Sequence, residues 1–346
     1  MRRPASLLAL AVLATAFGGG AALVTRTLPA VADPAGTGPQ DLSSVVERAE
    51  AGVVHIHNYL TRTRDVPEPG ESGPLNDNVG SGFVYSADGW IVTNRHVTEG
   101  AREILVSVKG RGWFRASLRG SDPIVDVSLL KIEATGLTPL TLGAPRSLRL
   151  GQWVIAAGSP YRLPRSFSVG IVSGLERSDV VNPGGYEDYI QTDAAINLGS
   201  SGGPLLDATG RVIGLNTAIL SRSGGNQGIA FAVPIDVVAM VVEQLKAKGT
   251  VVRPTLGAVV RAASPLESLR LPGGGGLIVT RFGDESPARR AGLREGDVIL
   301  GVDGVATPSR GVLLRTIWAR AAGRSVTLDV LRGAERLALP VVLIER

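Results

Sequence analysis

Between residues 53 and 234 no apolar run lasts long before a turn former interrupts it. The segments "EILVSV" (103–108), "VSLLKIE" (127–133), "WVIAAG" (153–158), "SVGIVSGL" (168–175), "YIQTDAAI" (189–196), "RVIGLNTAIL" (211–220) and "GIAFAVP" (228–234) follow one another this way. Such runs, too short for ordinary helices and bounded by Gly, Pro, Asn or Asp, read as strands. "SGFVYS" (81–86), the Ala87-Asp88-Gly89 turn and "WIVTNRHV" (90–97) spell a hairpin. So many brief strands predict paired β-barrels or a sandwich. With 45 Gly, 21 Pro and only 4% aromatics in 346 residues, the composition suits tight turns better than a helical bundle.

The cadence breaks at "PIDVVAMVVEQLKAKGT" (234–250), where apolar residues recur at three and four, lysines gather at the end and Gly249 follows. These signals predict a helix closing the β region. A shorter amphipathic helix, capped near Asp41, is predicted in "DLSSVVERAE" (41–50), running into a strand from Val53. Beyond the long helix, "TLGAVV", "GLIVTRF", "DVILGVDG", "VTLDVLR" and "ALPVVLIE" read as strands, and "SPARRAG" and "RGVLLRTIWARA" as helical stretches. They predict a separate small α+β domain. The Gly273–Gly276 run has no following helix or lysine, so it reads as a surface loop and not a phosphate loop.

At the N-terminus, Arg2 and Arg3 precede a stretch free of charge from Pro4 to Thr25. It reads as a signal peptide cleaved near Ala30–Ala32 or as an uncleaved anchor, and in either case as a signal for export. The expected organisation is residues 1–32 signal or anchor, 33–44 Pro/Gly linker, 45–249 first domain and 250–346 second domain. The net charge is +5, but the arginines are scattered among acids without interleaved aromatics, which argues against nucleic acid as a partner. With no cysteine, disulfides and thiolate chemistry are excluded.

"INLGSSGGPLLD" (196–207) is either a flexible spacer or the seat of a nucleophile. A serine needs a base within reach and a group to orient that base. The chain has three histidines. His55 and His57 alternate along a strand and share a face; a metal pair there lacks a third ligand, so a polar strand face is the reading and no metal or cofactor is expected. His96 follows the apolar strand "WIVTN", at an end where a rigid element presents side chains. Between His96 and the serines, "GSDPIVDVSLLKIE" (120–133) offers two carboxylates, Asp122 and Asp126. Asp122 precedes Pro123 and reads as a turn opener. Asp126 leads into the apolar run "VSLLKI", where a carboxylate needs a partner, and is the better orienter.

These residues carry a resemblance. "VGSGFVYSADGWIVTNRHV" (79–97), "DPIVDVSLLKI" (122–132) and "IQTDAAINLGSSGGPLLD" (190–207), with "GRVIGLNTAI" and "GIAFAVPID" after it, resemble the signature blocks of the HtrA (Deg) family. The likeness extends over about residues 45–346 and is greatest to the membrane-anchored DegS type. It implies a mainly β fold, a chymotrypsin-like double β-barrel protease domain followed by a small α+β PDZ domain.

The family's G-x-S-G-G puts the nucleophile third, so Ser201 is implied as attacker, His96 as base and Asp126 as orienter, with the N–H groups of Gly199 and Ser201 as the oxyanion hole. Gly202 and Gly203 are expected to leave room for substrate. Ala195, six residues before the nucleophile, carries no charge; with Ile196 and Ile219 it implies a small aliphatic specificity pocket. Ser200 and Leu198 depart from the family's usual Asn and Pro or His, which leaves the resting state of the oxyanion turn open. The segment Leu175–Tyr186 resembles the family's sensor loop, in which Arg177 is either a coupling residue or a solvated arginine.

In the second domain, the N–H groups of Leu256, Gly257 and Ala258 are implied to grip a peptide C-terminus as the peptide adds as a strand. Leu313, Leu314 and Ile317 wall a side-chain pocket or pack in the core. The implied partners are protein or peptide substrates and C-terminal peptides, within a homotrimer in the periplasm with possible inner-membrane attachment. The implied role is envelope stress signalling or protein quality control. The alternative is a proteolytically silent PDZ scaffold or chaperone.

Overall fold

The first helix, α1 (Ser43–Glu50), enters the core through Val45 and Ala49. Its cap position is Leu42, not Asp41, and carries no side-chain cap bond. The computed structural model describes residues 41–60, 77–160, 163, 165–181, 185–221 and 225–345. The expected signal or anchor and all but the end of the expected linker lie outside these residues. Among the described residues, no helix is long and apolar enough to cross a membrane.

Six strands follow: β1 (Val53–Tyr59), β2 (Asp77–Ser86), β3 (Trp90–Asn94), β4 (Glu103–Val108), β5 (Gly112–Asp122) and β6 (Val127–Ile132), with the single helical turn α2 (Arg95–Thr98) after β3. They close into a barrel in the order β1-β2-β3-β6-β5-β4. Alternation sends Val54, Ile56, Ile91, Val106, Leu130 and Ile132 into its interior, all fully buried. The β2–β3 hairpin turns at Gly89, whose φ is +100°; a Cβ there would stand 2.2 Å from the Ile132 carbonyl oxygen, so only glycine serves.

A second barrel is built from β7 (Trp153–Gly158), β8 (Ser166–Arg177), β9 (Tyr189–Thr192), β10 (Pro204–Asp207), β11 (Val212–Ile219) and β12 (Ala230–Pro234), in the order β10-β11-β12-β9-β8-β7. Two strands have no counterpart in the sequence reading. β5 carries mostly polar, exposed residues, and β10 holds only four residues directly after the glycine run. The helix α2 (Ile235–Lys248 being α3) is a local turn, whereas α3 closes the barrels: Asp236 lies in its first turn, Lys246 and Lys248 in its last, and Gly249 at φ +78° ends it. Val238, Val241, Val242 and Leu245 form its buried face.

The remaining chain makes a smaller α+β assembly. β13 (Pro254–Thr255) pairs with β20 (Ile344–Glu345). The main sheet runs β14 (Ala258–Ala262), β15 (Leu277–Phe282), β16 (Val298–Val302), β18 (Ser325–Arg332) and β19 (Glu335–Val342), with β17 (Val305–Ala306) beside β16. The helices are α4 (Pro265–Ser268), α5 (Pro287–Arg290) and α6 (Arg310–Trp318). β14 ends the sheet order, leaving one edge without a described partner strand.

Charged pairs tie this assembly to the barrels. Arg253, 8% exposed, binds the Asp122 carboxylate through both guanidinium ends and lies 4.5 Å from the Trp318 ring centre. Asp122 also accepts from Ile124 N (3.2 Å) and Val125 N (3.3 Å), the turn-opening role expected for it. Trp318 packs on Tyr186 at 5.0 Å. The fully buried Asp188 carboxylate pairs with Arg146 of the barrels at 3.0 Å and with Arg315 of α6 at 2.9 Å. Two guanidinium groups balance the cost of burying that charge.

Candidate active site

Strand pairing brings the first two site residues together. Asn94, the last residue of β3, is opposite Val127, the first of β6. The turn of α2 after β3 therefore meets the turn before β6. In that contact His96 Nδ1 and Asp126 Oδ2 are 2.6 Å apart, and His96 N donates to Asp126 Oδ1 at 2.9 Å. Asp126 holds φ +62°, a left-handed conformation that costs energy in a non-glycine residue and here aims the carboxylate at the imidazole. His96 is exposed and Asp126 partly buried.

Two further side chains complete the carboxylate's surroundings, and the sequence reading missed both. Thr217 Oγ1 donates to Asp126 Oδ2 at 3.2 Å, and Asn94 Nδ2 donates to Thr217 Oγ1 (2.7 Å) and to the Asp126 carbonyl (2.8 Å). Thr217 belongs to β11 of the second barrel, so the carboxylate is held from both barrels. The nearby Tyr189 phenol is kept protonated well beyond its ordinary range by burial, reinforced by the charges of Glu187 and Asp126.

The third residue comes from the turn between β9 and β10. Ser201 is partly exposed, whereas Ser200 is buried at 4%. Ser201 Oγ and the imidazole make no hydrogen bond in this structure. Such contacts are often long before substrate tightens them. The turn itself is tightly built: Ser200 N donates to Asn197 O (2.9 Å) and Gly203 N to Ser200 O (3.0 Å). Asn226 braces its approach, its main-chain N donating to Asn197 Oδ1 (2.9 Å) and its carboxamide to the Ile196 carbonyl (3.2 Å). Neither Gly199 N nor Ser201 N donates a hydrogen bond to another described residue.

The glycines here are not spacer residues. Gly199 has φ +96°, and a Cβ would stand 2.5 Å from Ser159 O. A Cβ on Gly202 (φ +84°) would stand 2.2 Å from both Ser81 O and Thr93 Oγ1, and one on Gly203 would stand 2.1 Å from Ala157 O. This corrects the expectation that Gly202 and Gly203 leave room for substrate. Both are buried, and the space they leave is filled by backbone of the two barrels.

The expected specificity residues do not share one surface: the structure turns Ile196 inward, away from any substrate. Ala195 is exposed, with its carbonyl receiving Ser168 Oγ at 2.8 Å. Ile196, 2% exposed, sits in the core of the second barrel, and Ile219 packs against that core. Arg177 is exposed and donates to Gln191 Oε1 at 2.8 Å, a contact within the barrels. Its neighbour Glu176 is the one that reaches the second assembly, meeting Arg315 Nη2 of α6 at 3.1 Å.

In that assembly Leu256 is buried, and its carbonyl accepts from Ser286 Oγ (3.0 Å) and Ala288 N (3.1 Å). Gly257 has φ +67°, and its N–H is engaged by Thr255 Oγ1 at 3.0 Å. Ala258 begins edge strand β14 opposite Phe282. Leu313 and Ile317 are core residues, while Leu314 is partly buried. His55 and His57 share a face as expected, with ring centres 4.7 Å apart and the Trp113 ring against both. Among the described residues no cluster of three or more His, Asp or Glu is arranged to hold a metal ion.

Two family models match the chain: a trypsin-like peptidase domain over residues 80–215 and a PDZ domain over residues 254–343. A probable periplasmic serine endoprotease, DegP-like, of Halomonas elongata is 39% identical over 338 residues, covering 88% of this chain and 70% of the relative. A DegP-like relative of the same description from Pseudomonas fluorescens is 42% identical over 279 residues, covering 79% of this chain; the chain spans 58% of that relative's length. Among solved structures, the HtrA-type protease AlgW with a tripeptide superimposes with a TM-score of 0.73 at 35% identity, covering 88% of this chain and 97% of that one. The serine endoprotease from Yersinia pestis gives 0.63 at 29% identity, covering 89% and 99%. Double barrel, appended PDZ domain and close relatives agree: the chain belongs to the HtrA-type family of trypsin-like serine endoproteases.

Proposed function

We propose that this protein is an exported serine endopeptidase in which His96, Asp126 and Ser201 form the catalytic triad. The observation that carries the reading is the chain of hydrogen bonds from Asn94 through Thr217 and Asp126 to His96 Nδ1, beside a serine turn with two unengaged N–H groups. With Nδ1–H held by Asp126, the imidazole keeps Nε2 free to take the Ser201 proton during attack on a peptide carbonyl. The same proton passes to the leaving amine, and a water then releases the acyl group by the reverse route. Gly199 N–H and Ser201 N–H receive the oxyanion, each such donor being worth about 10²–10³ in rate. Ala195 and Ile219 offer no charge to a substrate side chain, so cleavage falls after small aliphatic residues.

The PDZ domain, in this reading, takes peptide C-termini along the open edge of β14, with the loop at Leu256, Gly257 and Ala258 receiving the carboxylate. The carboxylate displaces Thr255 Oγ1 from Gly257 N. Helix α6, beside that strand, carries Arg315 to Glu176 and Asp188, which supports control of the protease by peptide binding. Such control extends only as far as the peptide's affinity differs between the two states. The relatives' description as periplasmic supports location in the periplasm; envelope stress signalling or quality control is the role proposed for it there. Inner-membrane attachment through residues 1–32 and a homotrimer complete the proposal.

The test is digestion of an unfolded protein by the full chain, with every new end mapped by mass spectrometry and C-terminal peptides added in a parallel series. Cuts after Val, Ala or Ile that vanish in His96→Ala and Ser201→Ala, and rise with peptide, are the expected result. Cuts after Lys or Arg contradict the pocket. Binding of peptides without any cleavage turns the reading to a PDZ scaffold.

A further inference from the structure

We propose that Ser81 is the positioning residue that holds the oxyanion turn in its working orientation, an inference that rests on the endopeptidase reading above. Ser81 is the middle residue of Gly80-Ser81-Gly82 in β2. The two glycines face the barrel interior, where a Cβ on Gly80 would stand 2.4 Å from Val97 Cγ1 and one on Gly82 would stand 3.0 Å from Ile56 Cδ1. Alternation then turns Ser81 outward, toward the second barrel. Pairing of β2 with β3 begins only at Phe83, which releases the Ser81 main chain toward the serine turn.

Every polar atom of Ser81 is engaged, and both of its protons go to the serine turn. Its N–H donates to Ser201 O (2.9 Å), and its carbonyl accepts from Thr93 Oγ1 (2.6 Å). Its hydroxyl accepts from Ser159 N (2.8 Å) and lies 2.6 Å from Gly199 O. Because the hydroxyl oxygen already receives the Ser159 N–H, its single proton goes to the Gly199 carbonyl. Ser81 is completely buried, so water does not share these bonds.

The Gly199 carbonyl is the significant partner. The Gly199–Ser200 peptide links the two peptides whose N–H groups are proposed for the oxyanion hole, so holding it restricts how far either can turn. Its two polar ends are tied: the N–H by Asn197 O and the carbonyl by Ser81 Oγ. A side chain from the first barrel thus fixes a peptide of the second, beside the imidazole that the first barrel also supplies. Removing the hydroxyl leaves a buried N–H at Ser159 and a buried carbonyl at Gly199 without their partner, and frees the peptide to turn.

The experiment compares Ser81→Ala with the unaltered full chain in three measurements. These are turnover of an aliphatic peptide substrate, affinity for the corresponding peptide boronic acid, and, in a Ser201→Ala background, affinity for the uncleaved peptide. The expected result is a fall of about 10²-fold in kcat, the scale of a reacting group displaced by about 1 Å. Boronic acid affinity falls in parallel with kcat/KM, as for a group that acts on the transition state, while affinity for uncleaved peptide is unchanged. Two results overturn the role: kcat equal to that of the unaltered chain, or a loss of uncleaved-peptide binding as large as the loss of kcat, which marks a merely structural brace. An unaltered chain inert toward both substrate and boronic acid overturns the endopeptidase reading, and this inference with it.

Discussion

Gly202→Ala separates a built catalytic turn from a spacer. Two costs meet at this position. Gly202 holds φ +84°, and placing an L-residue in that region costs about 1–2 kcal/mol. The new methyl would also stand 2.2 Å from Ser81 O and from Thr93 Oγ1, atoms belonging to paired strands that cannot both retreat. Overpacking of this kind costs about 1–3 kcal/mol. Together they remove about 2–5 kcal/mol from a domain stability of order 5–15 kcal/mol. At about 2–4 °C per kcal/mol for a domain of this size, the midpoint falls by about 4–20 °C. Gly110→Ala is the internal control: its φ is +70°, but nothing lies within 4 Å of the added methyl, so only the dihedral cost applies. Differential scanning calorimetry of both variants, with turnover measured on each, makes the comparison. A larger drop for Gly202→Ala, with turnover lost beyond about 10²-fold, follows from the geometry. Equal shifts in the two variants, with turnover intact, would refute it.

Three other outcomes follow from named contacts. Thr217→Val keeps the shape but removes a hydrogen bond to a carboxylate, worth about 1.5–3 kcal/mol and less at 3.2 Å and partial exposure, so kcat should fall about tenfold with KM steady; unchanged kcat would contradict the role given to Thr217. Arg253→Met strands the buried Asp122 carboxylate and should cost about 3–5 kcal/mol in urea denaturation, part of it recovered when Asp122→Asn is added; an unmoved midpoint would show the pair to be dispensable. In the PDZ domain burial tends to raise the pKa of Asp297, but the Arg332 hydrogen bonds and the Arg294 N–H outweigh it and leave the carboxyl below its ordinary value. A carboxyl depressed in the folded state stabilises it above the unfolded value and loses that stabilisation as pH falls through the folded one, so stability should decline below about pH 4. Asp297→Asn should lower stability at neutral pH and flatten that decline; a parallel acid limb in the variant would contradict the assignment.

Strand alternation and turn residues carried most of the barrels, because inward-facing residues such as Val54, Ile56 and Ile91 must be apolar wherever the sheet closes on itself. β5 escaped notice because its outer face is polar and exposed, and β10 because four residues after a glycine run give no period to read. His96 and Asp126 are legible as candidates because each stands at the end of an apolar run, but the pairing of β3 with β6 that brings them into contact is not. Nor is Thr217: it lies 91 residues from Asp126, and only the meeting of β11 with β3 brings it there. Gly202 and Gly203 were assigned the right importance for the wrong reason, since a sequence shows the absence of a side chain but not which backbone occupies its place. Near α6, the charge that reaches the PDZ domain is Glu176 and not Arg177, a difference of one residue that β8 decides by the side on which each projects.

The most direct measurement of the central claim is covalent labelling of the full chain with a fluorophosphonate, the adduct located by peptide mass spectrometry. A single adduct on Ser201, retained in Ser200→Ala and absent from Ser201→Ala and His96→Ala, is the predicted result. An adduct on Ser200, or labelling that persists without His96, would contradict the assignment of nucleophile and base.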